Sequence, residues 1–214
     1  MSQLKYSTSM SLDGFVAGLH QGPDHPLGVG GERLHEWMRA LAVWRHEVGL
    51  EGGETNASTA VIEEDDRNVG AIIMGRNMFG GGTGPWEDPP WNGWWGENPP
   101  FHLPVFVLTH HERDVLEMEG GTTFTFVSEG IDLALELARQ AAQGADVAIS
   151  GGAGTAKQYL AAGLLDEVMI HLVPTFLGEG VALFDDRQLR EIAVEQVNVA
   201  PAPGVLHVTY RIAR

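Results

Sequence analysis

Cysteine is absent from the 214 residues, which excludes disulfides, thiolate metal sites and a cysteine nucleophile. Basic residues are scarce: 13 Lys and Arg stand against 29 Asp and Glu, for a formal net charge of −16. Phosphate backbones and anionic bilayers repel such a chain, so no nucleic-acid partner and no membrane partner is expected. No apolar run is long enough to span a bilayer, and the opening Met1-Ser2-Gln3-Leu4-Lys5-Tyr6 lacks the apolar stretch of a signal peptide. A cytoplasmic protein is expected, with a single domain over 1–214 and one cleft.

What is present is a succession of short apolar runs punctuated by glycine. Gln3 to Met10 alternates, with Leu4, Tyr6, Thr8 and Met10 on one face, and ends at the turn Ser11-Leu12-Asp13-Gly14. Leu34, Met38, Leu41 and Val48 predict an amphipathic helix over Glu32 to Val48. Ser58 is positioned to cap a second helix that runs to about Asn68 with an acidic, solvated tail. Gly70 to Met74 reads as a strand buried on both faces. Residues 80–104, with Trp86, Trp91, Trp94 and Trp95 among glycines and prolines, read as a long structured loop, a lid or an interface.

Further strands are predicted over Val105 to Leu108, Thr123 to Val127, Asp146 to Ser150 and Glu167 to Pro174. Helices are predicted over Ile131 to Gln143 and from Gly151-Gly152-Ala153-Gly154-Thr155 to Gly163. Ile192 to Val199 and Val205 to Ile212 form a hairpin around Pro201-Ala202-Pro203-Gly204. The order implies an α/β fold with a mixed central sheet, helices on both faces and a C-terminal antiparallel pair.

Two strands run into glycine and then a helix: Ile73-Met74-Gly75-Arg76, and Ile149-Ser150-Gly151-Gly152. A helix N-terminus offers free N–H groups, and glycine lets a phosphate come close to the backbone. The alternative is that these glycines only make tight turns. Neither junction has the spacing of the Rossmann fingerprint.

Together with Ser9-Met10-Ser11-Leu12-Asp13-Gly14-Phe15-Val16-Ala17, Val107-Leu108-Thr109-His110 and Leu164-Leu165-Asp166-Glu167, these junctions resemble the dihydrofolate reductase superfamily. More specifically, they resemble its branch related to the reductase domain of riboflavin biosynthesis. The resemblance implies a three-layer α/β/α fold of the dihydrofolate reductase type. It implies an oxidoreductase that uses NADPH to reduce a small-molecule substrate, heterocyclic (pteridine- or pyrimidine-like) or carbonyl, and a homodimer. It also implies that Gly75, Arg76, Asn77 and Met78 hold the pyrophosphate and the ribose phosphate, with Thr109 and His110 beside the latter. Gly151, Gly152, Gly154 and Thr155 then face the pyrophosphate and nicotinamide. The rival is a binding protein that keeps this fold without turnover.

The same resemblance puts Asp13 on the substrate side. A C=N or C=O reduction needs a hydride and a proton, and an apolar cleft would raise the affinity of Asp13 for that proton. A plain Asp-Gly turn is the alternative. Two departures bear on the substrate. Leu34-His35-Glu36-Trp37 provides no clean counterpart of the acidic pterin-binding residue of dihydrofolate reductases, and without cysteine these residues hold no zinc-binding Pro-Cys-x-x-Cys of the deaminase domain often fused to that reductase. His110-His111 has no third metal ligand in view, so no metal is expected. His171 reads as a core histidine or as part of a cleft wall.

Overall fold

The computed structural model describes residues 2–22, 24–184 and 187–213. In chain order the strands are β1 (Leu4–Ser11), β2 (Phe15–Ala17), β3 (Val69–Gly75), β4 (Pro104–Leu108), β5 (Leu116–Glu117), β6 (Thr123–Val127), β7 (Asp146–Ser150), β8 (Glu167–Val173), β9 (Val181–Ala182), β10 (Val194–Ala202) and β11 (Val205–Ile212). The helices are α1 (Glu36–Arg39), α2 (Ala42–Glu47), α3 (Ala57–Asp66), α4 (Arg76–Phe79), α5 (Ile131–Ala142) and α6 (Ala153–Ala161). This is a mixed α/β fold with parallel and antiparallel strands and a C-terminal antiparallel pair. Among the described residues no helix is long and apolar enough to cross a membrane.

The chain forms two compact units. The first takes the residues up to Tyr6 and Asn68–Leu165. Its strands β7, β3, β4 and β6 are parallel neighbours in that order, and β5 pairs antiparallel with the outer edge of β6. Ile72, Met74, Val105, Val107 and Phe124 face a cluster with Phe79 of α4, closed by Trp86, Trp91, Trp95 and Phe101. Ala71, Ile73 and Phe106 alternate onto the opposite face, where α5 packs. One face is therefore covered by a helix whose buried residues include Ala134 and Ala138. The other is covered by α4 and the tryptophan-rich segment.

The second unit takes Ser7–Arg67 and the residues from Asp166 onward. β10, β11 and β8 form an antiparallel set, and β2 pairs with β9. Leu34, Trp37 and Leu41 are buried against Val173 and Val205. β1 begins beside β7, where Val147 N–H donates to the Gln3 carbonyl at 2.9 Å, and ends beside β8. Its buried side chains change phase on the way, from Leu4 and Tyr6 to Ser9 and Ser11, so the single alternating face expected over Gln3 to Met10 does not hold.

Three other expectations are corrected. The helix over Glu32 to Val48 is broken into a 3-10 turn (Gly31–Leu34), α1 and α2. Leu41 is extended there (φ −74°, ψ 140°), because Ala42 N–H donates to Glu54 O and Glu54 N–H to Ala40 O, each at 2.8 Å. A backbone pairing distant in sequence thus outcompetes the helical period. α3 is capped by Asn56, whose Oδ1 accepts from Ser58 N–H at 2.9 Å, while Thr59 Oγ1 accepts from Asn56 N–H at 3.3 Å. Ser58 instead turns its hydroxyl inward. Finally, β10 continues through Pro201 and Ala202, which pair with Leu206 and Val205, so the hairpin turn is only Pro203-Gly204. Proline is tolerated there because β10 is an edge strand.

Candidate functional site

Because β7, β3, β4 and β6 are parallel and in register, Ile73 opposite Ile149, Gly75 opposite Leu108 and Leu108 opposite Val127, their carboxyl ends form one edge. Both glycine junctions lie on it, and they touch. A Cβ on Gly75 would stand 2.5 Å from Thr155 Oγ1, and one on Gly151 would stand 2.7 Å from Met78 Sδ. Gly75 has φ −84°, so its glycine is required by the close approach of α6. Gly151 (φ 68°) and Gly152 (φ 80°) occupy the left-handed side that suits glycine.

The start of α6 is open. Gly152 is its N-cap and no side chain caps it. A Cβ on Gly154 would meet nothing within 4 Å, and one on Gly152 would meet only Thr155 Oγ1 at 3.6 Å. The first N–H groups of the helix lack intrahelical partners by geometry, so this exposed glycine backbone fits a pyrophosphate. Thr155 itself is buried, and its N–H donates to Gly152 O at 3.0 Å.

Arg76 meets Thr109 as the sequence suggests, and its guanidinium is engaged within the chain. It is 7 % exposed. Its Nε donates to Gly80 O (3.0 Å), Nη2 to Gly81 O (2.8 Å) and Nη1 to Thr109 Oγ1 (3.3 Å). The Trp86 ring covers its face, with Cζ 3.2 Å from the ring centroid. Burial, and secondarily the Arg113 charge, lower its pKa. Thr109 is buried and its Oγ1 also accepts from His111 N–H at 3.2 Å. Asn77 and His110 are exposed.

The tryptophan-rich segment is tied down by its indoles. Trp94 Nε1 donates to Met78 O (3.0 Å), Trp91 Nε1 to Phe79 O (2.8 Å) and Trp86 Nε1 to His111 O (3.1 Å). With Arg76 on Gly80 and Gly81, four successive carbonyls at the end of α4 are capped by side chains. Arg113 adds bonds to Trp91 O (2.5 Å) and Asn92 Oδ1 (2.6 Å). Nothing in the sequence of residues 80–104 announces these partners, since an indole N–H can find a carbonyl in any loop.

Asp13 belongs to the second unit. Its Oδ1 accepts from Leu177 N–H (3.2 Å) and its Oδ2 from Gly178 N–H (2.7 Å), while Leu12 N–H donates to Thr175 O at 2.9 Å. The turn 11–14 is thus zipped to 175–178, a partner that a turn motif cannot reveal. A hydrogen bond from the Ser11 side chain, then those from the Gly178 and Leu177 N–H groups, hold the carboxyl below the usual carboxylate range against the opposing effect of desolvation. The expected apolar cleft raising its proton affinity is therefore corrected: hydrogen bonding to the charged form wins. Glu36 is exposed on α1.

His171 is a hydrogen-bonded core residue. Its Nε2 meets Ser7 Oγ at 2.8 Å and its Nδ1 meets His207 Nδ1 at 2.7 Å, while His207 Nε2 meets Ser58 Oγ at 2.9 Å. Among the described residues no three His, Asp or Glu side chains are grouped to hold a metal.

Solved structures share the fold. A protein assigned to riboflavin biosynthesis in Shewanella sp. PV-4 superposes with a TM-score of 0.63 at 20% identity, covering 99% of both chains. Dihydrofolate reductase from Enterococcus faecalis, complexed with NADP(H) and RAB-propyl, gives 0.54 at 14% identity, covering 99% of this chain and 97% of that one. RibD from Acinetobacter baumannii gives 0.56 at 16% identity, and all of this chain spans only 59% of it. No curated protein is a significant match in sequence. The profile of the RibD C-terminal domain matches residues 3–208, and the chain belongs to that family.

Proposed function

We propose that this chain is an oxidoreductase that reduces a small heterocyclic or carbonyl compound with a nicotinamide dinucleotide, NADPH serving as reductant. The observation that carries the reading is the meeting of the Gly75 and Gly151-Gly152 junctions through Thr155 at the carboxyl edge of parallel strands. Ligands of open α/β sheets bind at that edge. Membership of the RibD C-terminal domain family supports reductase chemistry and makes a riboflavin-pathway pyrimidine the first substrate to try. The fold-level neighbour complexed with NADP(H) supports the choice of cofactor.

When bound, the dinucleotide supplies a hydride. The chain contributes the rest. Gly151, Gly152, Gly154 and the first N–H groups of α6 hold the pyrophosphate, with Gly75, Met78 and Thr155 shaping its floor and Asn77, Thr109 and His110 flanking it. Asp13, ionised, offers its carboxylate to a polar edge of the substrate, and water delivers the proton. A cytoplasmic homodimer is proposed with it; the exposed edge strand β10, with Val194, Val197 and Val199 in solvent, is available to a second copy.

Titration with NADPH, followed by nicotinamide fluorescence, tests the cofactor site, and loss of NADPH absorbance with dihydrofolate, the riboflavin-pathway pyrimidine or small carbonyl acceptors tests turnover. Saturable binding with turnover of any acceptor is expected. Binding without turnover would leave a binding protein, and no binding would sink the reading.

A further inference from the structure

We infer that Trp86, with the Gly80 and Gly81 carbonyls, holds Arg76 out of cofactor recognition, so that the chain does not distinguish NADPH from NADH. The inference rests on the nicotinamide-reductase reading above and concerns how that site treats the one group that separates the two dinucleotides, the extra ribose phosphate. The side chains best suited to selecting such a phosphate are an available guanidinium or ammonium.

The cations of the first unit are few. Arg76 has three of its five N–H donors on Gly80 O, Gly81 O and Thr109 Oγ1, and its face lies under Trp86. Arg113 bonds Trp91 O and Asn92 Oδ1 and stacks near Trp86 and Phe126. Lys5 pairs with Asp146 at 3.1 Å, at the start of β7 and so at the opposite end of the strands. Arg139 is in the last turn of α5, which also leads into the start of β7. Lys157 sits on α6, the helix offered to the pyrophosphate that both dinucleotides share.

The charge beyond β4 and β6 points the same way. Glu112, Asp114 and Glu129 line an open cavity of about 490 Å³ there, with Arg113, Phe126 and Ser128. Three carboxylates beside a guanidinium that already gives two donors to Trp91 O and Asn92 Oδ1 disfavour an additional phosphate, whereas a ribose with free hydroxyls meets no such penalty. Trp86 is thus the specificity-determining residue: it seals the one guanidinium that the adjoining glycine junction would otherwise present.

The experiment is calorimetric titration of the whole chain with NADPH and, separately, NADH, which needs no turnover. Dissociation constants within about threefold of each other are expected; a larger preference for either dinucleotide would overturn the inference while leaving the reductase reading intact. Binding of neither dinucleotide would remove both. In Trp86→Ala, checked for folding by its thermal transition, uncovering Arg76 should shift the ratio toward NADPH by about tenfold, the effect of one charge-assisted bond. A folded variant with an unchanged ratio would overturn the role of Trp86. Should the variant not fold, the wild-type ratio decides alone.

Discussion

The hydroxyl of Thr155 occupies the space that a side chain on Gly75 would need: an added Cβ would lie 2.5 Å from Oγ1. Contact that close forces one of the two to move, and Thr155 is buried in a packed helix. Gly75→Ala should therefore destabilise the chain by about 1–3 kcal/mol through overpacking. Thr155→Ala in the same chain should recover most of the loss, and a double-mutant cycle of urea midpoints measures the coupling. Additive effects would mean that the two residues do not share the space.

Arg76 and the indoles of Trp91 and Trp94 cap the carbonyl end of α4. Arg76→Met leaves the Gly80 and Gly81 carbonyls without these donors and removes the guanidinium from Trp86, at an expected cost of about 2–4 kcal/mol. Trp94→Phe keeps an aromatic ring but loses the bond to Met78 O, which should cost about 1 kcal/mol. Urea unfolding of the two variants checks the ranking. An Arg76→Met chain as stable as the parent would show that these carbonyls find other partners.

The chain Ser7–His171–His207–Ser58 predicts acid sensitivity. Two Nδ1 atoms face each other at 2.7 Å, so one carries the proton and the other accepts it, and each ring is neutral. A further proton would set two N–H donors head-on. Burial, then the His207 and His35 charges, push His171 down to about 3; burial and then Arg39, opposed by Glu32, push His35 down to about 4; burial also lowers His207. Folded values below the unfolded value of 6.5 mean that the unfolded chain binds the extra protons. Stability is therefore full above about pH 6.5 and falls as the pH drops toward 4, by about 1.4 kcal/mol per unit for each of His171 and His35. Unfolding free energies across that window should show the slope, and His207→Gln should make it shallower. A flat profile would contradict neutral burial.

Asp13→Asn replaces a carboxylate that accepts from two N–H groups with an amide that has one acceptor. One of Leu177 and Gly178 then faces an NH₂ group, so the 175–178 loop should loosen. Under the proposed function, turnover should fall while the NADPH dissociation constant stays within about twofold, since the glycine junctions are untouched. Steady-state kinetics beside fluorescence titration separates the two. Unchanged turnover across the pH range would reduce Asp13 to a turn former.

Much of this protein follows from local sequence. Thr123–Val127 and Asp146–Ser150 are strands with the boundaries that their apolar runs predict, because a short run between glycines or polar breaks has few other ways to be buried. The glycine junctions after β3 and β7 are also local, since strand, glycine and helix follow one another in the chain. The sequence could not show that those junctions meet. That depends on the parallel register placing Gly75 under Thr155, a contact across eighty residues of chain.

The same limit explains the differences. A helical period runs through Glu32 to Val48, yet the pairing of Ala40 and Ala42 with Glu54 breaks it at Leu41. Arg76 next to a glycine reads as a phosphate ligand, and only the tertiary fold reveals Gly80, Gly81 and Trp86 as its partners. Asp13 reads as a proton store until the 175–178 loop arrives to hold it ionised. Periodicity and turn chemistry determined where the elements and the glycine cradle lie, because those depend on neighbours in sequence. Which charges are engaged and which are left for a ligand was decided by the tertiary structure, because hydrogen-bond partners are chosen by distance in space.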